Sequence, residues 1–160
     1  GGLAAWQAEG LALTDRPSVV RAPGTLLASV RRELVVDAAF VAAHVGDPSI
    51  HLVDARAADR FAGENETVDP VAGHIPGARN RPFKENFGAD SRFKNADEIR
   101  RRFETIGEPH AVVHQCGSGV SAAANALAME VAGLRGSRVY AGSWSEWIAD
   151  PNRPFATGAQ

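Results

Sequence analysis

The chain contains a single cysteine, Cys116, in surroundings suited to nucleophilic chemistry. An apolar run, Val112-Val113-His114-Gln115, leads into it, and the small residues Gly117, Ser118 and Gly119 follow. Beyond Val120, Ser121-Ala122-Ala123-Ala124-Asn125 opens a helical pattern. The order reads as strand, tight loop, helix. A loop entering a helix aims several unpaired backbone N–H groups at one point and adds the positive end of the helix dipole. A thiol held there ionises more readily, because the thiolate is stabilised and the thiol is not. Gly117 and Gly119 can take positive φ and curl the loop around the sulfur, while the Ser118 and Ser121 hydroxyls add donors. The chemistry implied is a nucleophilic thiolate in an anion-binding cradle. A lone cysteine can also be a small buried hydrophobe. Its place at the end of the apolar run, beside Gly-Ser-Gly, favours the nucleophile.

The flanking elements must position this loop. Asp37 can cap a helix over residues 38–44, with Phe40, Val41 and Val45 turned inward. Ile50-His51-Leu52-Val53 reads as a buried strand closed by Asp54, at the end of a parallel strand where functional groups gather. Arg56 and Arg60 follow, four apart, either as a solvated face or as a clamp for a carboxylate or sulfonate. Asn95 and Glu98 have the spacing of a capping box, opening a helix that buries Ile99, Phe103 and Ile106 and stops at Gly107. The helix after the cysteine is expected to bury Leu127 and Val131. Ser137–Tyr140 forms a last strand, and Gly142–Trp147 a short helix with two largely buried tryptophans, of which Trp144 can also reach the site. Leu26-Leu27 and Leu34-Val35-Val36 are further strand pieces. Alternating strands and helices predict a three-layer α/β/α domain around a central, mainly parallel, five-stranded sheet.

Composition narrows the function. With 160 residues, 44% of them hydrophobic, the chain can build one domain with a proper core. Seventeen basic and nineteen acidic residues, with no basic block, leave no nucleic-acid footprint. No apolar run is long enough to span a membrane. One cysteine cannot form an internal disulfide, which suits a reducing compartment, with the cytoplasm as the default. His44, His51, His74, His110 and His114 lack the spacing of metal ligands, so no structural metal is expected.

Cys116-Gly117-Ser118-Gly119-Val120-Ser121 resembles the active-site loop of rhodanese-type sulfurtransferases, in the variant found in mercaptopyruvate sulfurtransferases. Three further stretches fit the same family in order. These are Leu52-Val53-Asp54-Ala55-Arg56 with Arg60-Phe61, then Gly73-His74-Ile75-Pro76-Gly77-Ala78, and Ala141-Gly142-Ser143-Trp144-Ser145-Glu146-Trp147. The resemblance implies that Cys116 accepts a sulfane sulfur as a persulfide and hands it to a thiophilic acceptor, with no cofactor. It also implies that the loop 117–121 holds the persulfide and that Arg60 binds the donor; Arg56 is a second, lesser candidate from its spacing, and Asp54 and Trp144 are expected to support the site from their places at the strand end and in the last helix. His74 belongs to a structural motif of the family and stays outside the site. Thiosulfate-specific members carry basic residues where this chain has Gly117 and Ser118. Mercaptopyruvate-type members often have a second substrate arginine in the stretch that here runs from Gly63 to Asp69 without one. The family loop often adds a second cysteine where this chain has Ala123.

Gly1-Gly2-Leu3-Ala4-Ala5-Trp6 looks like a second copy of Gly142–Trp147, since glycine and tryptophan are five apart in both. Tandem sulfurtransferases end their first domain this way. Residues 1–24 are therefore expected to be the tail of a missing first rhodanese domain plus a linker, and residues 25–160 the catalytic domain. The expected activity is sulfur transfer from 3-mercaptopyruvate or thiosulfate to cyanide or a thiol. The alternative is half of a tandem enzyme with an incomplete pocket, acting as a weakly active or sulfur-carrying module. A cysteine phosphatase or arsenate reductase is a remote third reading, since the oxyanion-clamping arginine it needs six residues after the cysteine is Ala122 here.

Overall fold

A computed structural model describes residues 1–17 and 22–159; part of the expected linker, residues 18–21, lies outside the described residues. Five strands form one sheet in the order β1-β5-β4-β2-β3, with β1 Val35–Val36, β2 His51–Asp54, β3 Arg79–Asn80, β4 Val112–Gln115 and β5 Arg138–Tyr140. Every pairing is parallel. The helices are α1 Gly2–Ala8, α2 Ala38–Ala43, α3 Ala58–Ala62, α4 Ala96–Phe103, α5 Val120–Val131 and α6 Ser143–Trp147. The expected α/β/α domain is the one observed. Leu26 and Leu27 join no strand and are almost fully exposed; the sheet begins at Val35.

Two apolar layers sandwich the sheet. Leu52, Val113 and Tyr140 face Val41, Phe61, Ile75, Trp144 and Trp147, while Val53 and Val112 face Ile99, Phe103, Ile106, Ala128 and Met129. The local caps form as their residues require. Asp37 Oδ1 accepts from the Phe40 N–H at 2.8 Å. Asn95 Oδ1 accepts from the Glu98 N–H at 2.9 Å, and its amide donates back to the Glu98 carboxylate at 2.6 Å.

Helix α5 departs from expectation. Leu127 and Val131 are 53% and 46% exposed, and the buried stripe is Ala122, Asn125, Ala128 and Met129. This stripe, closed by the fully buried Met129, is the face turned to the sheet, and Leu127 and Val131 lie to its side. No helix among the described residues is long and apolar enough to cross a membrane.

His114, on β4, is fully buried, and its Nε2 lies 3.1 Å from Met129 Sδ. Burial lowers its pKa to about 3. The unfolded chain binds this proton near pH 6.5 and the folded chain only near 3. The associated stability is therefore complete above pH 6.5 and is lost as pH falls, by up to about 1.4 kcal/mol per unit. Calorimetric melting between pH 7 and 5 should show a falling Tm that a His114→Leu variant largely lacks; an equal slope in both would refute this assignment.

Candidate active site

Cys116 follows β4 directly and is 3% exposed, packed with Ala55 and Ala122. The chain then turns through residues 117–119 into α5. Gly119 is the turning point, with φ 87°, and a Cβ there would stand 2.5 Å from the Ala141 carbonyl oxygen. Both backbone sign and space therefore require glycine at this position. The Gly119 N–H donates to Cys116 Sγ at 3.2 Å. Among the described residues the N–H groups of Gly117, Ser118, Val120 and Ser121 find no protein acceptor, nor do the hydroxyls of Ser118 and Ser121. Ser118 and Val120 are exposed; Gly117 and Ser121 are half-buried. One cysteine sulfur thus sits at a turn rich in uncommitted donors, at the positive end of a twelve-residue helix.

The turn is held from outside by α6. The Cys116 N–H donates to Ser143 Oγ at 3.1 Å, and this hydroxyl donates to the Tyr140 carbonyl at 2.9 Å. Trp144 N–H donates to the Cys116 carbonyl at 3.0 Å and Ser145 N–H to the Gly117 carbonyl at 2.9 Å. Ser143 adopts φ 55°, in the left-handed region, to present its hydroxyl this way. The Ser145 hydroxyl lies 2.8 Å from the Gly117 carbonyl and 2.7 Å from Asp69 Oδ1, one proton serving two acceptors.

A chain of charges lies behind the turn. Asp54 is fully buried and holds Arg56, through its backbone N–H at 2.9 Å and its guanidinium at 2.7 Å. Arg56 also donates to the Gly73 carbonyl, approaches Glu66 at 3.5 Å and stacks 5.0 Å over the Trp144 ring. Arg56 is therefore not an open clamp, contrary to expectation. It is 4% exposed and spends its donors on the fold.

Arg60 is nearer the loop. Both its Nη atoms are 3.7 Å from where a Cβ on Gly117 would stand. Its Nε/Nη2 edge is filled by Glu66, at 2.8 to 3.2 Å, and Nη2 also reaches Asp69 at 3.1 Å. Only Nη1 lacks a partner among the described residues. Burial pushes the Glu66 carboxyl up, but hydrogen bonds from Arg60 and from the Asp69 and Val68 N–H groups outweigh it and hold the group below its ordinary range. Three carboxylates surround two guanidiniums, so the cluster is net negative.

Trp144 is buried, anchored by its indole N–H to the Val71 carbonyl at 2.9 Å, and supports the loop through its backbone. His74 is buried beneath Phe61, stacked at 3.8 Å, within a structural turn. Ala122, six residues after the cysteine, is buried and offers no guanidinium. No three His, Cys, Asp or Glu side chains gather as metal ligands among the described residues. Ser143, Ser145, Glu66 and Asp69 were not legible as site residues. Ser143 and Ser145 lie in the stretch Ala141–Trp147, but nothing in the sequence marks which hydroxyl meets the loop.

Comparison with known proteins follows the same lines. Residues 37–150 match the family described as Rhodanese-like domain. The chain is 50% identical over 161 residues to a Pseudomonas aeruginosa protein named "Probable 3-mercaptopyruvate sulfurtransferase", covering 99% of this chain and 56% of that protein. It is 34% identical to the 3-mercaptopyruvate sulfurtransferase of Escherichia coli, covering 96% of this chain and 56% of the relative. With the thiosulfate sulfurtransferase of Gallus gallus identity is 33%, covering 92% and 52%. The chain thus spans about half the length of these relatives. The solved anaerobic ergothioneine biosynthesis enzyme of Chlorobium limicola shares the fold, with a TM-score of 0.84 at 24% identity over 99% of this chain and 40% of that one. By its matched domain and its relatives, this chain belongs to the rhodanese-like domain family.

Proposed function

We propose that this chain carries the persulfide-forming site of a sulfurtransferase. The observation that carries the reading is the Gly119 N–H on Cys116 Sγ at 3.2 Å, with four further loop amides unspent. The Cys116 thiolate attacks the outer sulfur of the donor, and a new S–S bond forms. The old bond breaks: C–S in 3-mercaptopyruvate, leaving an enolate that takes a proton to become pyruvate, or S–S in thiosulfate, leaving sulfite. The persulfide anion rests on the N–H groups of residues 117–121, and the Ser118 and Ser121 hydroxyls are within the same turn. A thiol or cyanide then takes the outer sulfur and restores the thiolate. Arg60 contributes its free Nη1, since its bidentate edge is held by Glu66. This weakens the case for a donor needing a two-point carboxylate clamp.

A second reading concerns assembly: the complete enzyme places a first rhodanese domain against this one. The α1 segment supports it. Gly2 and Ser143 open their helices with matching φ of 57° and 55°. Trp6 donates its indole N–H to Ala12 at 3.1 Å, as Trp147 does to Pro154 at 2.8 Å. Trp147 is 1% exposed and Trp6 48%, as expected of a copy whose own core lies elsewhere. On this reading the described domain is slow alone and faster in the two-domain protein.

Three measurements test these proposals. Steady-state sulfur transfer to cyanide should show parallel, ping-pong lines with either donor, and Cys116→Ser should abolish it; turnover by the serine variant would end the proposal. Arg60→Gln should lower kcat/KM about tenfold for anionic donors, the worth of one charge-assisted contact. Gly119→Ala should destabilise the fold by about 1–3 kcal/mol in urea unfolding, since it is strained and crowded. Gly117→Ala, whose Cβ meets only ordinary contacts at 3.7 Å, should cost less than about 1 kcal/mol. Equal effects of the two substitutions would contradict the loop geometry.

A further inference from the structure

Beside the end of β3, and apart from the cysteine turn, a cavity of about 420 Å³ is lined by Arg81, Arg101, Arg102, Glu85, Asn80 and Thr105, among others. Three arginines and one glutamate line it, an excess of two positive charges in a protein whose net charge is −2. The Arg102 guanidinium is fixed through two asparagines to the backbone at Arg81. Arg102 Nη1 donates to Asn86 Oδ1 at 3.2 Å, Asn86 donates to Asn125 Oδ1 at 2.6 Å, and Asn125 donates to the Arg81 carbonyl at 2.9 Å. Both asparagines are fully buried, so the frame is rigid. Arg81 is pinned further by Nη1 donating to the Asn80 carbonyl at 2.9 Å, and Asn80 is itself fixed to the Asp54 and Arg56 carbonyls at 3.0 Å.

The single counter-charge is a weak one. Glu85 is 59% exposed in its side chain, against 16% for Arg102, and its carboxylate sits 2.8 Å from Arg102 Nη2. That nitrogen is buried and still lacks a properly directed hydrogen bond. Burial lowers the Arg102 pKa, Glu85 works against the shift, and the neighbouring Arg81 charge adds to it. An electrostatic deficit of this kind, with Arg81 and Arg102 held in place and Arg101 exposed beside an open volume, matches a small oxyanion bearing two charges.

We propose that this pocket is an anion-binding site, separate from the cysteine loop, which takes a compact divalent oxyanion such as phosphate or sulfate, free or as the terminal group of a larger molecule. Arg81 and Arg101 close on the anion, and Arg102 supplies the charge behind them.

The test is a titration followed by amide resonances of the intact chain, with inorganic phosphate, inorganic sulfate and phenyl phosphate as probes at constant ionic strength set by chloride. Saturable shifts centred on residues 80–86 and 101–105 are expected. Arg81→Gln and Arg101→Gln should each weaken binding about tenfold, the worth of one charge-assisted contact. Neither side chain touches the buried asparagines, so both variants should fold; Arg102→Gln serves as a third. Tighter binding of phenyl phosphate would identify the anion as part of a larger ligand, and its exclusion would identify the free ion. Shifts confined to residues 116–121, equal shifts with chloride alone, or affinity unchanged in both single variants would overturn the proposal.

Discussion

The site depends on one constraint: a backbone turn that keeps its N–H groups free must have its carbonyls satisfied elsewhere. Buried polar backbone is rarely left unpaired, so a cradle of uncommitted donors is stable only where something else holds the loop. Here α6 does so. Ser143 accepts the Cys116 N–H, while Trp144 and Ser145 donate to the carbonyls of Cys116 and Gly117. The remaining N–H groups of the turn have no protein acceptor among the described residues. The left-handed conformations of Gly119 and Ser143 are the local cost of that arrangement.

Behind the turn, charge is arranged for rigidity more than for attraction. Asp54, Arg56, Glu66, Arg60 and Asp69 form a continuous chain that ends at Ser145 and the Gly117 carbonyl. Buried ion pairs add little net stability once desolvation is counted, but removing one partner strands the other. The network therefore locks the relative positions of β2, the 63–73 segment and α6. It also makes the surroundings of Arg60 net negative.

Much of the fold was legible because its signals are local. The Asp37 cap, the Asn95–Glu98 box and the apolar spacing of Ile99, Phe103 and Ile106 each involve residues within a few turns, and the parallel sheet follows from alternation. The α5 face is ambiguous in the sequence because an alanine-rich helix has two plausible apolar stripes, and the one carrying Ala122, Asn125, Ala128 and Met129 faces the sheet in place of Leu127 and Val131. Within the site, the cysteine turn was visible as a strand–glycine–helix junction. Its supports were not, because they act across long separations: Ser143 reaches Cys116 from 27 residues away and Ser145 reaches Asp69 from 76. Arg56 and Arg60 carry the same residue type at helical spacing. Only the positions of Asp54 and Glu66 distinguish the buried strut from the half-exposed neighbour beside the loop.

The central claim is that the turn after β4 holds sulfur bound to Cys116 as a persulfide. Intact-protein mass spectrometry after a single exposure to 3-mercaptopyruvate or thiosulfate, followed by removal of the donor, tests it most directly. A gain of one sulfur atom is predicted, absent in Cys116→Ser and reversed by cyanide. A folded chain that gains no sulfur from either donor, alone and joined to the proposed first domain, would contradict the account.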